Sequence, residues 1–203
     1  MHLSLLALNF IGSLAANSQS QSSSPVPPLP TPSQSSRNTT LPCTIISQVT
    51  HSFYGISNNE NQGPNIAYDC GRSRVPGGLG TYINPLTFAS APGEFQRCEV
   101  IYSPYLQKYL RHEDYCSECN SEWSERIYHV RVWVGSNLLA GGEDEIDCER
   151  RLEPPPERTQ SVIRYPRADL IVDTTPLYVP GFNTPSACHV DHVYPSYALR
   201  DYC

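Results

Sequence analysis

Long apolar runs are scarce in this chain. Beyond the first sixteen residues no stretch approaches the ~20 apolar residues a transmembrane helix needs. Basic residues form no stripe: 14 Lys and Arg stand against 20 Asp and Glu, a net charge of −6, which argues against a nucleic-acid partner. No internal repeat and no long amphipathic helical pattern is present. The stretch GGLGTY at 77–82 lacks the Lys-Ser/Thr ending of a P-loop and is not followed by a helical pattern, so it reads as tight turns before a strand. No nucleophile elbow is present to anchor a serine hydrolase. Cys116-x-x-Cys119 is followed by no second Cys-x-x-Cys or His-x-His, so His112, Cys116 and Cys119 make an incomplete zinc set.

What is present points outside the cell. MHLSLLALNFIGSLAA, residues 1–16, has the apolar run and small-residue end of a secretory signal peptide, cut after Ala15 or Ala16. The mature protein is therefore expected to be secreted, extracellular, monomeric and free of membrane association. Export changes the reading of the eight cysteines, Cys43, Cys70, Cys98, Cys116, Cys119, Cys148, Cys188 and Cys203. Their even number in an oxidising compartment predicts up to four disulfides. Eight cysteines allow 105 pairings, so the connectivity stays open. Residues 17–42 are almost all Ser, Gln, Pro, Asn and Thr and read as a disordered stalk, with an N-glycosylation sequon at Asn38. Thirteen tyrosines and two tryptophans in an acidic secreted chain suit neutral glycans as partners.

Order is expected from Cys43. CTIISQVTHSFYG, IAYDCG, the segment after the glycine-rich turn, Cys98–Tyr102 and SVIRY read as short strands or strand ends. Residues 105–110 fit a short helix or a continuing strand equally. RIYHVRVWVGS is the clearest strand, with Ile127, His129, Arg131 and Trp133 on one face and Tyr128, Val130, Val132 and Val134 on the other. GGEDEIDCERRLEPPPE reads as an acidic loop. The fold class is mostly β, a small barrel spanning 43–178 with disulfide-stapled loops. Residues 179–203 form an irregular tail tied down by its cysteines.

Among candidate chemistry, Cys116-x-x-Cys119 reads as structural. No βαβ setting surrounds it, and Glu113 and Asp114 oppose a thiolate. Glycosidic cleavage commonly uses a pair of carboxylates. Asp114, where a strand enters a cysteine-pinned loop, and Asp69, beside Cys70, are the candidates, whereas Glu113, Glu118, Asp144 and Asp147 read as solvated. No metal and no cofactor is expected.

The order of these features resembles the double-psi β-barrel superfamily. THSFYG is similar to the opening strand of expansins and family-45 glycoside hydrolases. GGLGTYINPLTFAS resembles the glycine-rich turn of that superfamily. YLRHEDYCSEC followed by HVRVWVGS resembles the closing half of the three-aspartate and rare-lipoprotein-A barrels. The span 48–136 also looks like a group of fungal small secreted proteins. The resemblance implies a six-stranded double-psi barrel acting on an extended cell-wall polysaccharide such as peptidoglycan, chitin or glucan. Asp114 matches the catalytic acid of the lytic relatives and Tyr54 the aromatic lining the groove. Arg131 stands where a second aspartate is expected, which takes weight off catalysis. Tyr54, Tyr82, Tyr102 and Trp133 are the expected stacking surfaces, with Arg131 beside them. The alternative to a glycan-cleaving enzyme is a non-catalytic, expansin-like binding module or an extracellular effector.

Overall fold

A computed structural model describes residues 41–58, 65–135 and 142–203. The expected signal peptide, nearly all of the Ser/Pro-rich stalk and Asn38 lie outside these residues. Six strands close into a barrel: β1 (Thr44–Tyr54), β2 (Leu86–Ser90), β3 (Val100–Ser103), β4 (Lys108–Tyr115), β5 (His129–Trp133) and β6 (Gln160–Arg164). Their order around the barrel is β1-β5-β2-β4-β3-β6. The pairs β1/β5 and β2/β4 are parallel, and the other neighbours are antiparallel. Closure leaves no unpaired barrel edge.

Alternation builds the interior. Val49 and Phe53 of β1, Val130 and Val132 of β5, and Phe88, Ile101, Leu110 and Val162 from the other strands form the main core. The second face of β5 is buried as well, because α1 (Cys119–Ser124) packs against it and α2 (Glu143–Leu152) packs against β1. A smaller cluster of Tyr102, Tyr109, Ile163 and Leu170 lies apart from the main core. The glycine-rich stretch is a pair of tight turns. Gly78 and Gly80 have φ of +110° and +79°, and a Cβ at Gly78 would lie 1.9 Å from the Pro85 carbonyl oxygen.

The residues expected to be an acidic loop form α2 instead. Glu143, Asp144 and Glu145 open this helix and Arg150 and Arg151 close it, which matches the helix macrodipole. Its buried residues are Glu145, Cys148, Glu149 and Leu152, spaced as one helical face. Two of those four are glutamates, so hydrophobic periodicity gives no signal there. Pro154–Pro156 follow and cannot continue the helix. IAYDCG is irregular rather than a strand end. The helical alternative for 105–110 does not form: a turn with Gln107 at φ 49° leads directly into β4.

All eight cysteines are paired, as Cys43–Cys203, Cys70–Cys98, Cys116–Cys119 and Cys148–Cys188. The last barrel strand ends at Arg164, well before 178. Beyond it lies a small hairpin, β7 (Tyr178–Val179) with β8 (Ala187–Cys188). The tail is tethered at both Cys188 and Cys203. Among the described residues no helix is long and apolar enough to cross a membrane.

Candidate functional site

Strand register brings distant residues into one row. Asp114 of β4 lies opposite Ala89 of β2, Ala89 lies opposite Arg131 of β5, and Arg131 lies opposite Ser52 of β1. Ala89 contributes only a methyl group between Asp114 and Arg131. At the end of β1, Tyr54 donates its hydroxyl to Asp114 Oδ2 at 3.0 Å. The Arg131 guanidinium stands over the Tyr54 ring, 5.4 Å from its centroid, and Trp133 meets that ring edge-on at 5.3 Å. Below them Ser52 Oγ is 2.7 Å from His129 Nε2. His129 Nδ1 is 3.0 Å from the Glu122 carboxylate, and Arg131 Nε is 3.3 Å from that of Glu118. Burial, reinforced by the Asp114 charge, pushes the Tyr54 phenol well above its ordinary range. Burial also lowers the His129 imidazole, against the pull of Glu122 and Glu118.

This row is an internal scaffold. Asp114 is 1% exposed and Tyr54 2%. Besides the Tyr54 hydroxyl, Asp114 accepts from the amides of Ala67 at 2.8 Å and Tyr115 at 2.9 Å. A general acid must reach the proton acceptor on its substrate, and this carboxylate is enclosed and occupied by donors. Its hydrogen bonds hold the 65–70 loop and Tyr54. Asp69 is also otherwise engaged. Its Oδ1 accepts the amides of Gly71, Arg72 and Ser73 at 2.9–3.1 Å, an Asx-type turn on the surface. Although Ser52, His129 and Glu122 follow a Ser-His-acid order, Ser52 sits within β1 and not on a strand-to-helix elbow.

Helix α2 adds buried carboxylates that sequence inspection does not single out. Glu149 is 4% exposed. Asn58 Nδ2 donates to its Oε2 at 2.5 Å, while its Oε1 is buried with no hydrogen-bond partner among the described residues. Burial raises its carboxyl to about 8, with Glu145 adding to the rise and the Asn58 bond and Arg131 opposing it. The nearby Glu153 is raised for the same first reason, burial. Glu145 accepts from the Ser57 hydroxyl at 3.2 Å.

An open groove of about 670 Å³ lies elsewhere on the barrel. Its walls carry Tyr82, Tyr165, Tyr202, Arg97 and Arg167, and the disulfides Cys43–Cys203 and Cys70–Cys98 contribute to its lining. Each ring has a close neighbour. Tyr82 packs edge-on against Tyr109 at 5.2 Å, and Tyr202 lies 5.5 Å from Tyr102. Tyr165 has φ 53° and sits 5.6 Å from the Arg164 guanidinium. Glu99, itself in the groove lining, takes Arg164 in a two-pronged pair at 2.6 Å on both arms. The groove therefore offers aromatic faces and guanidinium donors on a backbone fixed by two disulfides.

The family model described as the DDB_G0273701 N-terminal domain matches residues 46–189. The chain belongs to this family. A Dictyostelium discoideum relative, Uncharacterized protein DDB_G0273701/DDB_G0273221, is 33% identical over 127 residues, which is 62% of this chain and 54% of the relative. The chain thus spans about half the length of that relative. No solved structure matches.

The family match covers all but the first strand residues of the barrel and reaches into the tail. Within it the structure brings Asp114, Tyr54, Trp133 and Arg131 together and leaves Asp69 apart. Tyr54, Trp133 and Tyr102 are not stacking surfaces. Tyr102 is fully buried and donates its hydroxyl to the Ile171 carbonyl at 2.7 Å, because aromatic rings at the ends of short strands are needed to fill this small core. Of the expected aromatic contacts only Tyr82, 44% exposed, faces outward. Glu118, expected to be solvated, is largely exposed and pairs with Arg131, whereas Glu113, expected to be solvated as well, is fully buried and pairs with Arg72 and Arg111. Tyr165, Tyr202 and Glu149 were missed. Tyr165 ends the expected strand SVIRY and Tyr202 stands beside Cys203 in the irregular tail, and nothing in either stretch marks the residue as lining a groove.

Proposed function

We propose that this protein is a secreted, monomeric module that binds extended cell-wall polysaccharide without cleaving it, on an expansin-like barrel of the double-psi type. The observation that carries the reading is the groove lined by Tyr82, Tyr165 and Tyr202 with Arg97 and Arg167. A sugar ring presents an apolar face of C–H bonds and a rim of hydroxyls. Tyrosine faces complement the first, and guanidinium donors complement the second.

The scaffold row supports the same reading from the other side. Tyr54 and Asp114, matched separately to the superfamily's opening aromatic and its first aspartate, meet in a hydrogen bond. By the resemblance, Arg131 stands where a second carboxylate is expected, and Asp114 is enclosed. A hydrolytic reading would rest on Glu149, the carboxyl that stays protonated near neutral pH.

The test is sedimentation with insoluble chitin, peptidoglycan and β-glucan, with release of reducing ends followed in the same tubes. Wild type is expected to sediment with at least one polymer and to release nothing. Tyr82→Ala combined with Arg167→Ala is expected to lower the bound fraction about tenfold. Release that depends on Glu149, lost in Glu149→Gln, would replace the binding module with an enzyme.

A further inference from the structure

Outside both the row and the groove, His189, Asp191 and His192 stand together in the tail. Each offers a ligand atom, and these atoms lie within 4.8 Å of one another. We propose that His189, Asp191 and His192 form a binding site for a divalent transition-metal ion of the zinc type, with Asp173 orienting His192 from behind.

The local fold explains the clustering. Val190–His192 is a single 3-10 turn, closed by the His192 amide on the His189 carbonyl at 3.1 Å. Residues three apart on such a turn eclipse one another, and the two imidazole centroids are 5.7 Å apart. The turn is anchored at its start. The Cys188–Cys148 disulfide fixes it to α2, Cys188 pairs with Tyr178, and the His189 amide donates to the Leu177 carbonyl at 3.0 Å.

The second and independent observation is the state of His192. Its Nδ1 is 2.6 Å from Asp173 Oδ2. That carboxylate also accepts the Tyr194 hydroxyl at 2.7 Å and, on Oδ1, the Thr175 amide at 2.8 Å. Lys108, buried and bonded to the carbonyls of Asp173 and Thr175, ties this segment to β4. An ionised carboxylate only accepts, so Nδ1 carries a hydrogen toward Asp173, and Nε2 is the ring nitrogen left to face a metal. Nε2 faces the Asp191 carboxylate at 3.7 Å. A ligating histidine whose other nitrogen is held by a carboxylate is the usual supporting arrangement of metal sites. Tetrahedral zinc with ligands at 2.0–2.2 Å places its ligand atoms ~3.4 Å apart, so modest side-chain rotations close the set. Three protein ligands, all at least partly exposed, leave a position for water.

The full chain, stripped with EDTA and dialysed, is titrated with Zn²⁺ by calorimetry and with Co²⁺ by visible absorption. One equivalent is expected to bind. His189→Ala and His192→Ala are expected to abolish binding, and Asp173→Asn to weaken it 10–100-fold. His189→Ala leaves the Asp173–His192 bond untouched, so it decides the matter if the other variants fail to fold, which circular dichroism reports. Absence of saturable binding, or binding that survives His189→Ala and His192→Ala, overturns the site. Affinity unchanged in a folded Asp173→Asn overturns the role of Asp173.

Discussion

Two buried carboxylates that stand in unlike surroundings show how environment decides what a side chain does. Asp114 is surrounded by donors, whereas Glu149 has one oxygen bonded and the other without a partner among the described residues. The Glu149 carboxyl rises from 4.5 to about 8 on folding, chiefly through burial. A raised acid favours the fold while protonated in the folded state. Its contribution is fully present below about 4.5 and is lost as pH rises through about 8. Urea midpoints measured across that window are expected to fall with rising pH in wild type and to fall less in Glu149→Gln. Equal slopes would mean that Glu149 is not the group responsible. For Asp114, replacement by Ala leaves the Tyr54 hydroxyl and the Ala67 and Tyr115 amides without their acceptor. Each unsatisfied buried group costs about 1–3 kcal/mol, so with three such groups denaturation should show a loss of about 3 kcal/mol or more. The proposed polysaccharide binding should be unchanged in the folded fraction, because the groove is elsewhere.

Elements were legible where one face is apolar and illegible where it is not. The alternation in β5 was readable because Val130, Val132 and Val134 form one side of it, and β1 was readable from its β-branched and aromatic residues. Helix α2 was not, since half of its buried face is glutamate and its remaining anchors are Cys148 and Leu152. Leu152 is fully buried in the main core, so Leu152→Ala is expected to cost about 2–5 kcal/mol by chemical denaturation. A cost near zero would show that α2 is not docked as described. The enclosure of Asp114 was not legible for a related reason. Sequence placed Asp114 on the correct strand, but whether its side chain opens to solvent depends on the 65–70 loop, which folds back onto it through the Ala67 amide.

At the scale of the molecule, disulfides fix what short strands and a small core leave loose. Cys43–Cys203 joins residues 160 apart and ties the final residue to the start of the barrel. Cysteine parity and export predicted that all eight would pair, but the partners followed only from the fold. Replacing Cys43 and Cys203 together by Ser is expected to lower stability by about 2–5 kcal/mol, read by urea denaturation, and to weaken polysaccharide binding, because both residues line the groove. The groove is the feature on which the functional account stands, and the decisive measurement is the sedimentation assay on chitin, peptidoglycan and β-glucan. The account predicts that wild type binds at least one polymer without releasing reducing ends, and that Tyr82→Ala with Arg167→Ala reduces the bound fraction about tenfold. Binding unaffected by that double variant, or no binding to any of the three polymers, would contradict it.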